Sequence, residues 1–161
     1  GLDLHETPYA QLVTAGREII AAGREQLTIE HSGAADLGFL YGCILTDDTE
    51  PSAGVCSRNL CIFGGGQVDR SPTGSGITAR LAIAHARGLV APGETHAYAG
   101  LSGIPFTGMI RDADPNGVVV TVTGRGHYSG VLQFRVEADD PLPDGFELPD
   151  RLADQSGFST T

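Results

Sequence analysis

The stretch Gly64-Gly65-Gly66-Gln67-Val68-Asp69-Arg70-Ser71-Pro72-Thr73-Gly74-Ser75-Gly76 decides how this chain is read. It follows a strand candidate, Asn59 to Phe63, and opens a helix predicted from Pro72 to Arg87 with Gly88 as terminator. Glycines at a strand-to-helix turn let the backbone come close to a ligand. The first N–H groups of a helix have no internal partner and carry the positive end of the dipole, so the turn is a candidate anion site for a carboxylate or phosphate. Asp69 stands just outside it, placed to grip a positive nitrogen. Anion donors beside a carboxylate suit an amino acid. The same residues also have a purely structural reading, because Gly-rich turns often serve packing and Asp-x-Ser-Pro often caps a helix.

On the N-terminal side of this stretch, Thr7 to Gly23 reads as an amphipathic helix, with Thr7 as cap, Pro8 in the first turn and Leu12, Ala15, Ile19 and Ala22 on one face. Strand candidates follow at Gln26 to Glu30 and Gly38 to Leu45. The second helix presents Ile77, Leu81 and Ala84 on one side and carries many small residues, which let a helix sit close against a sheet. Beyond it, Thr95 to Ala99, Ile104 to Arg111, Gly117 to Val122 and Val131 to Glu137 read as strands, with Asp114-Pro115-Asn116-Gly117 as a turn. From Asp139 onward Pro, Asp and Gly dominate, predicting a surface tail through Thr161 whose acidic residues (Glu137, Asp139, Asp140, Asp144, Glu147, Asp150) are solvated. The expected organisation is a domain over 1–138 and a tail over 139–161. The fold class is α+β, a curved, mostly antiparallel sheet around a central helix.

The 161 residues hold ten basic and twenty acidic side chains, a net charge of -10, and 40% hydrophobic residues. That composition belongs to one globular domain or half of a two-domain protein. The acidic balance opposes a nucleic-acid groove or a basic membrane-facing patch. Every basic residue is Arg, so a Walker-type phosphate loop and Lys Schiff-base chemistry are excluded. Apolar runs such as Val118-Val119-Val120 are too short to span a bilayer as a helix. No signal peptide is visible, and the chain begins with Gly1, so the start of the gene product is expected upstream. Cys43, Cys56 and Cys61 lack zinc spacing and read as reduced core or loop thiols, and His5, His31 and His96 lack ligand spacing. No metal and no cofactor is expected, and the location expected is cytoplasmic.

Val68 to Gly76, with Ala79-Arg80 following, resembles the second active-site motif of the proline racemase family, which includes proline racemases, 4-hydroxyproline epimerases and trans-3-hydroxy-L-proline dehydratases. Gly124-Arg125-Gly126-His127-Tyr128-Ser129-Gly130 resembles the family's late strand, and Asp139-Asp140-Pro141-Leu142 with Asp144-Gly145-Phe146 its closing segment. The resemblance implies a diaminopimelate-epimerase-like half. Racemases and epimerases of the family carry a cysteine where this chain has Thr73, and use two thiols on opposite faces of the α-carbon. A thiol ionises near pH 8.5 and a threonine hydroxyl does not, so one face is disabled and inversion should fail. A single base could still remove the α-proton and let a neighbouring hydroxyl leave as water. Thr at this position, and Gly38-Phe39-Leu40-Tyr41-Gly42, are similar to the dehydratase branch.

Carried over residue by residue, the resemblance implies that Asp69 binds the ring nitrogen, that the N–H groups of Gly74 and Ser75 hold the carboxylate, and that Thr73 faces the α-carbon or the departing hydroxyl. Arg70 and Arg80 read as structural, as does His85; His127 and Tyr128 are weaker site candidates. The family's earlier Cys-Gly-His-like motif, which supplies the other catalytic residue, does not occur here. The chain therefore reads as a second half: a fragment, a split subunit or a degenerate product, inactive by itself. Expected partners are a hydroxyproline-type amino acid, the missing N-terminal half or a partner chain, and a second copy if the half stands alone. Two other readings stay open, an isomerase of the racemase or epimerase type and a non-catalytic amino-acid-binding remnant.

Overall fold

The computed structural model describes residues 2–146 apart from 32, 50, 51 and 53. Five strands form one sheet in sequence order: β1 (Gly42–Thr46), β2 (Cys56–Phe63), β3 (Thr95–Ala99), β4 (Pro105–Asp114) and β5 (Gly117–Thr123). All neighbours run antiparallel except β2 and β3, which are parallel. A parallel pair needs a crossover, and helix α2 (Gly74–Ala86) lies in it. The other helix, α1 (Tyr9–Gln26), packs on β1 and β2.

Strand alternation gives β2 two different faces. Leu60 and Ile62 join Leu12 and Ile20 of α1 in one apolar cluster. Ser57, Asn59 and Cys61 occupy the opposite face, and all three are buried. A second cluster gathers Ile77, Leu81 and Ala84 of α2 with Val90, Tyr98 and Ile110, flanked by the alternating Val118, Val120 and Val122 of β5. The expected inner face of α2 is therefore observed. Its close seat depends on small residues: a Cβ on Gly108 would stand 2.5 Å from Ile77 and 2.8 Å from Leu81, and one on Gly76 would collide with Ile44. Asp114 Oδ1 accepts from the N–H groups of Asn116 and Gly117, closing the predicted β4–β5 turn.

Several sequence expectations are corrected. Thr7 does not cap α1, because its hydroxyl accepts from Asp3 N–H instead. Gly23 does not end that helix; it lies inside it, against Leu40, and the chain leaves at Leu27 in extended geometry. The buried face is Leu12, Gly16 and Ile20, while Ile19 is exposed, since Gly16 is the point where Ile62 meets the helix backbone. No strand forms at Gln26 to Glu30, whose first residue is still helical, and β1 begins only at Gly42. Val131 to Glu137 has strand-like alternation but no neighbouring strand to pair with among the described residues, and it forms no strand.

The chain divides into two compact units, 1–126 and 127–161. In the second, turns close by Asp140 N–H to Glu137 O (3.3 Å) and Gly145 N–H to Leu142 O (3.0 Å). Of the acidic tail residues, Glu147 and Asp150 lie outside the described residues. No described helix is long and apolar enough to cross a membrane.

Candidate functional site

The chain reverses after β2 before it reaches α2. Phe63 N–H donates to Gln67 O, Gly66 N–H to Phe63 O, and Val68 pairs back with Ile62. The three glycines serve this reversal: Gly66 has φ +85°, and Gly64 and Gly66 lie against Arg24 and Arg17 of α1. They shape the reversal at the end of β2, as glycines of the expected strand-to-helix turn, and the chain runs on through Val68 and Asp69 before α2 begins at Gly74. That pairing continues with Asp69 N–H donating to Cys61 O at 3.1 Å, which brings Asp69 beside the buried face of β2.

From Asp69 the chain winds tightly into α2. Asp69 Oδ1 accepts from Ser71 N–H at 2.8 Å, and Oδ2 accepts from the Thr73 hydroxyl at 3.2 Å. Thr73 N–H donates to Ser71 Oγ at 3.1 Å, and Thr73 O accepts the first helical bond, from Ile77. Thr73 is the N-cap of α2, yet its side chain caps nothing, and its φ and ψ are 66° and 111°. A β-branched residue is strained there, at a cost of about 1–3 kcal/mol. Strain of this size persists where surrounding contacts over-determine it, and it concentrates at functional sites. The N–H groups of Gly74, Ser75 and Gly76 donate to no described residue, and each carboxylate oxygen of Asp69 keeps a lone pair beyond its internal bond. The structure thus brings Asp69, Thr73, Gly74 and Ser75 together within one turn.

Cys61 is the residue sequence reasoning passed over. It is buried, and burial pushes its thiol pKa up; the Thr73 side chain opposes that rise and the Asp69 charge adds to it. A thiol held protonated at neutral pH is no base. Cys43 is raised as well, by burial and by the charge of Cys61. All three cysteines are free, and only Cys56 is exposed. Arg80 takes the structural part expected of it, although its partners are not carboxylates: it donates to Ser57 Oγ, Asn59 Oδ1 and Thr49 O and lies over the Tyr98 ring at 5.2 Å. His85 meets Val90 O through Nδ1, a local tie at the end of α2. His127 and Tyr128 belong to the second unit, and Tyr128 is fully exposed.

A profile of the proline racemase family matches residues 1–147. The chain belongs to that family. It is 43% identical over 153 residues to a trans-L-3-hydroxyproline dehydratase of Bos taurus, covering 92% of this chain and 43% of the relative. Against trans-3-hydroxy-L-proline dehydratases of Homo sapiens and Colwellia psychrerythraea the identities are 42% and 38%, with 92% of this chain and 43% and 42% of theirs covered. The chain thus spans less than half the length of these relatives. Among solved structures, a hydroxyproline epimerase from Agrobacterium vitis with bound trans-4-hydroxy-L-proline superposes with TM-score 0.73 at 30% identity, covering 87% of this chain and 41% of that one. A probable proline racemase from Agrobacterium radiobacter with bound carbonate gives TM-score 0.75 at 25% identity, covering 92% and 43%. The proline racemase fold is the α+β half with a curved sheet that the sequence led one to expect.

A cleft of about 510 Å³ between β1 and α2 reaches Gly76 and Arg80 and is not lined by Asp69, Thr73, Gly74 or Ser75.

Proposed function

We propose that this chain forms the second half of a trans-3-hydroxy-L-proline dehydratase, with residues 1–138 as its domain and the catalytic base on a first half outside this chain. The observation that carries the reading is a strained Thr73 set between the Asp69 carboxylate and the unpaired amides of α2. Asp69 takes the protonated ring nitrogen, and Gly74 and Ser75 N–H take the carboxylate. When the base removes the α-proton, the C–H electron pair shifts charge onto that carboxylate, and the aimed amides stabilise it. The pair then forms the ring double bond, the C–O bond of the neighbouring hydroxyl breaks, and the departing hydroxide takes a proton from solvent to leave as water. Thr73 turns its one hydroxyl proton from Asp69 to the departing oxygen, and it is no base to return a proton on its face. Cys61, buried and protonated, supplies none either. The reaction needs acid–base groups and oriented dipoles only. By itself the chain is inactive.

The dehydratase relatives support this over an isomerase, and Thr73 in place of a thiol points the same way. The complete protein should release water from trans-3-hydroxy-L-proline and leave L-proline uninverted. Formation of D-proline would favour the isomerase reading, and neither turnover nor binding would leave a non-catalytic remnant.

A further inference from the structure

The inner face of β2 is buried and yet polar. Ser57, Asn59 and Cys61 are 1%, 2% and 4% exposed, at positions where a strand beside a helix ordinarily places apolar side chains. Buried polar groups have to be paired, and through Asn59 this face reaches the Pro72–Thr73 peptide. Asn59 Nδ2 donates to Pro72 O at 2.8 Å. Its Oδ1 accepts from Arg80 Nη1 at 2.7 Å, which settles the orientation of the amide, because a flipped Asn would set donor against donor and oxygen against oxygen. Arg80 is itself fixed by Ser57 Oγ at 2.6 Å, Thr49 O at 3.0 Å and the Tyr98 ring.

The Pro72–Thr73 peptide is therefore held on both sides. Its carbonyl is bound by Asn59 and its N–H by Ser71 Oγ. With that plane fixed, and Thr73 O committed to Ile77, the positive φ of Thr73 follows from its surroundings. We propose that Asn59 is a positioning residue for the reaction: locked by Arg80, it grips the Pro72 carbonyl and keeps Thr73 and the first amides of α2 aimed at the substrate. This rests on the reading of Asp69, Thr73, Gly74 and Ser75 as the substrate site. Cys61 lies on the same buried face, and its carbonyl accepts from Asp69 N–H.

Asn59→Asp separates positioning from support. It keeps the size and an oxygen facing Arg80, and it replaces the donor to Pro72 O by a repelling oxygen. In the complete protein, the expected result is a folded variant with near-normal helix content and kcat/KM for trans-3-hydroxy-L-proline at least about 100-fold lower, the scale of a small misplacement at a reacting centre. Affinity for L-proline, which lacks the leaving hydroxyl, should fall with it, and the amide resonances of nitrogen-15-labelled Gly74 and Ser75 should move. A variant with unchanged resonances and unchanged rate per folded molecule would overturn the proposal, even if its melting temperature fell. If Asn59→Asp does not fold, adding Thr73→Gly, which accepts the positive φ without help, should restore folding; failure of the pair would also overturn it. Should the wild-type protein prove inert toward hydroxyprolines, the substrate reading falls, while the Gly74 and Ser75 resonances still decide the positioning claim.

Discussion

Thr73 gives a sharp prediction about stability, because its strain and its contacts pull in opposite directions. Thr73→Gly relieves about 1–3 kcal/mol of backbone strain at φ 66°. It gives up the hydroxyl bond to Asp69, about 1 kcal/mol. It also buries two carbons fewer, Cβ and the γ-methyl, about 1.6 kcal/mol, and adds glycine's unfolded-state freedom, about 0.5–1 kcal/mol. The strain relief offsets most of these losses, so Thr73→Gly should be about 1 kcal/mol less stable than the parent. Thr73→Ala loses the same bond and the γ-methyl but keeps Cβ and the strain, and should be about 2 kcal/mol less stable. Gly is thus expected to exceed Ala here, the reverse of the usual helix ranking. In thermal unfolding of the complete protein each kcal/mol corresponds to about 2–4 °C for a chain of this order of size. An Ala variant as stable as the Gly variant would refute the claim that Thr73 is strained, and with it the reason for regarding this turn as built for chemistry.

Other expectations follow from neighbouring contacts. A Cβ on Gly100 would stand 2.5 Å from the Ser71 carbonyl and 2.7 Å from Pro72 N, so Gly100→Ala should displace the turn from outside it, costing about 1–3 kcal/mol of stability and lowering hydroxyproline affinity in a titration. Cys61 and Cys43 have pKa values raised above 9.0, so their contribution to stability is complete below pH 9 and is lost as pH rises through the folded values. Denaturation midpoints should therefore decline at alkaline pH, and less steeply in Cys43→Ala. Asp47 has the opposite sign: burial alone would raise it, but N–H groups of Arg58 and Thr49 and the hydroxyls of Ser57 and Thr49 hold it below 3.8. Its contribution is present above that value and lost as pH falls through the folded one, so Asp47→Asn should flatten the acid limb of a stability–pH curve.

The sheet and the second helix were legible because their signals are local. Ile77, Leu81 and Ala84 repeat at helical steps, Val118, Val120 and Val122 alternate, and Asp114 to Gly117 closes a turn by its own side chain. The first helix was misjudged where tertiary contacts decide: Gly16 is buried because Ile62 needs the room, and Gly23 stays helical because Leu40 lies on it. Val131 to Glu137 shows the limit of pattern reading, since alternation qualifies a segment for a sheet but pairing needs a neighbour. Within the candidate site, Asp69, Thr73, Gly74 and Ser75 were legible because one turn carries them all. Asn59 and Cys61 were not, because their importance comes from a strand face that the chain reaches only after reversing at Gly64 to Gly66. One signal was available: Ser57, Asn59 and Cys61 alternate along a strand whose other face is Leu60 and Ile62.

The central claim is that the Thr73 face holds the substrate without returning a proton to it. The most direct measurement follows trans-3-hydroxy-L-proline with the complete protein in heavy water, resolving product mass and the configuration of the remaining substrate. The product should be lighter by one water, with unreacted substrate of unchanged α-configuration. Accumulation of the deuterated α-epimer would contradict it, because a proton would then have been delivered from the face where Thr73 stands.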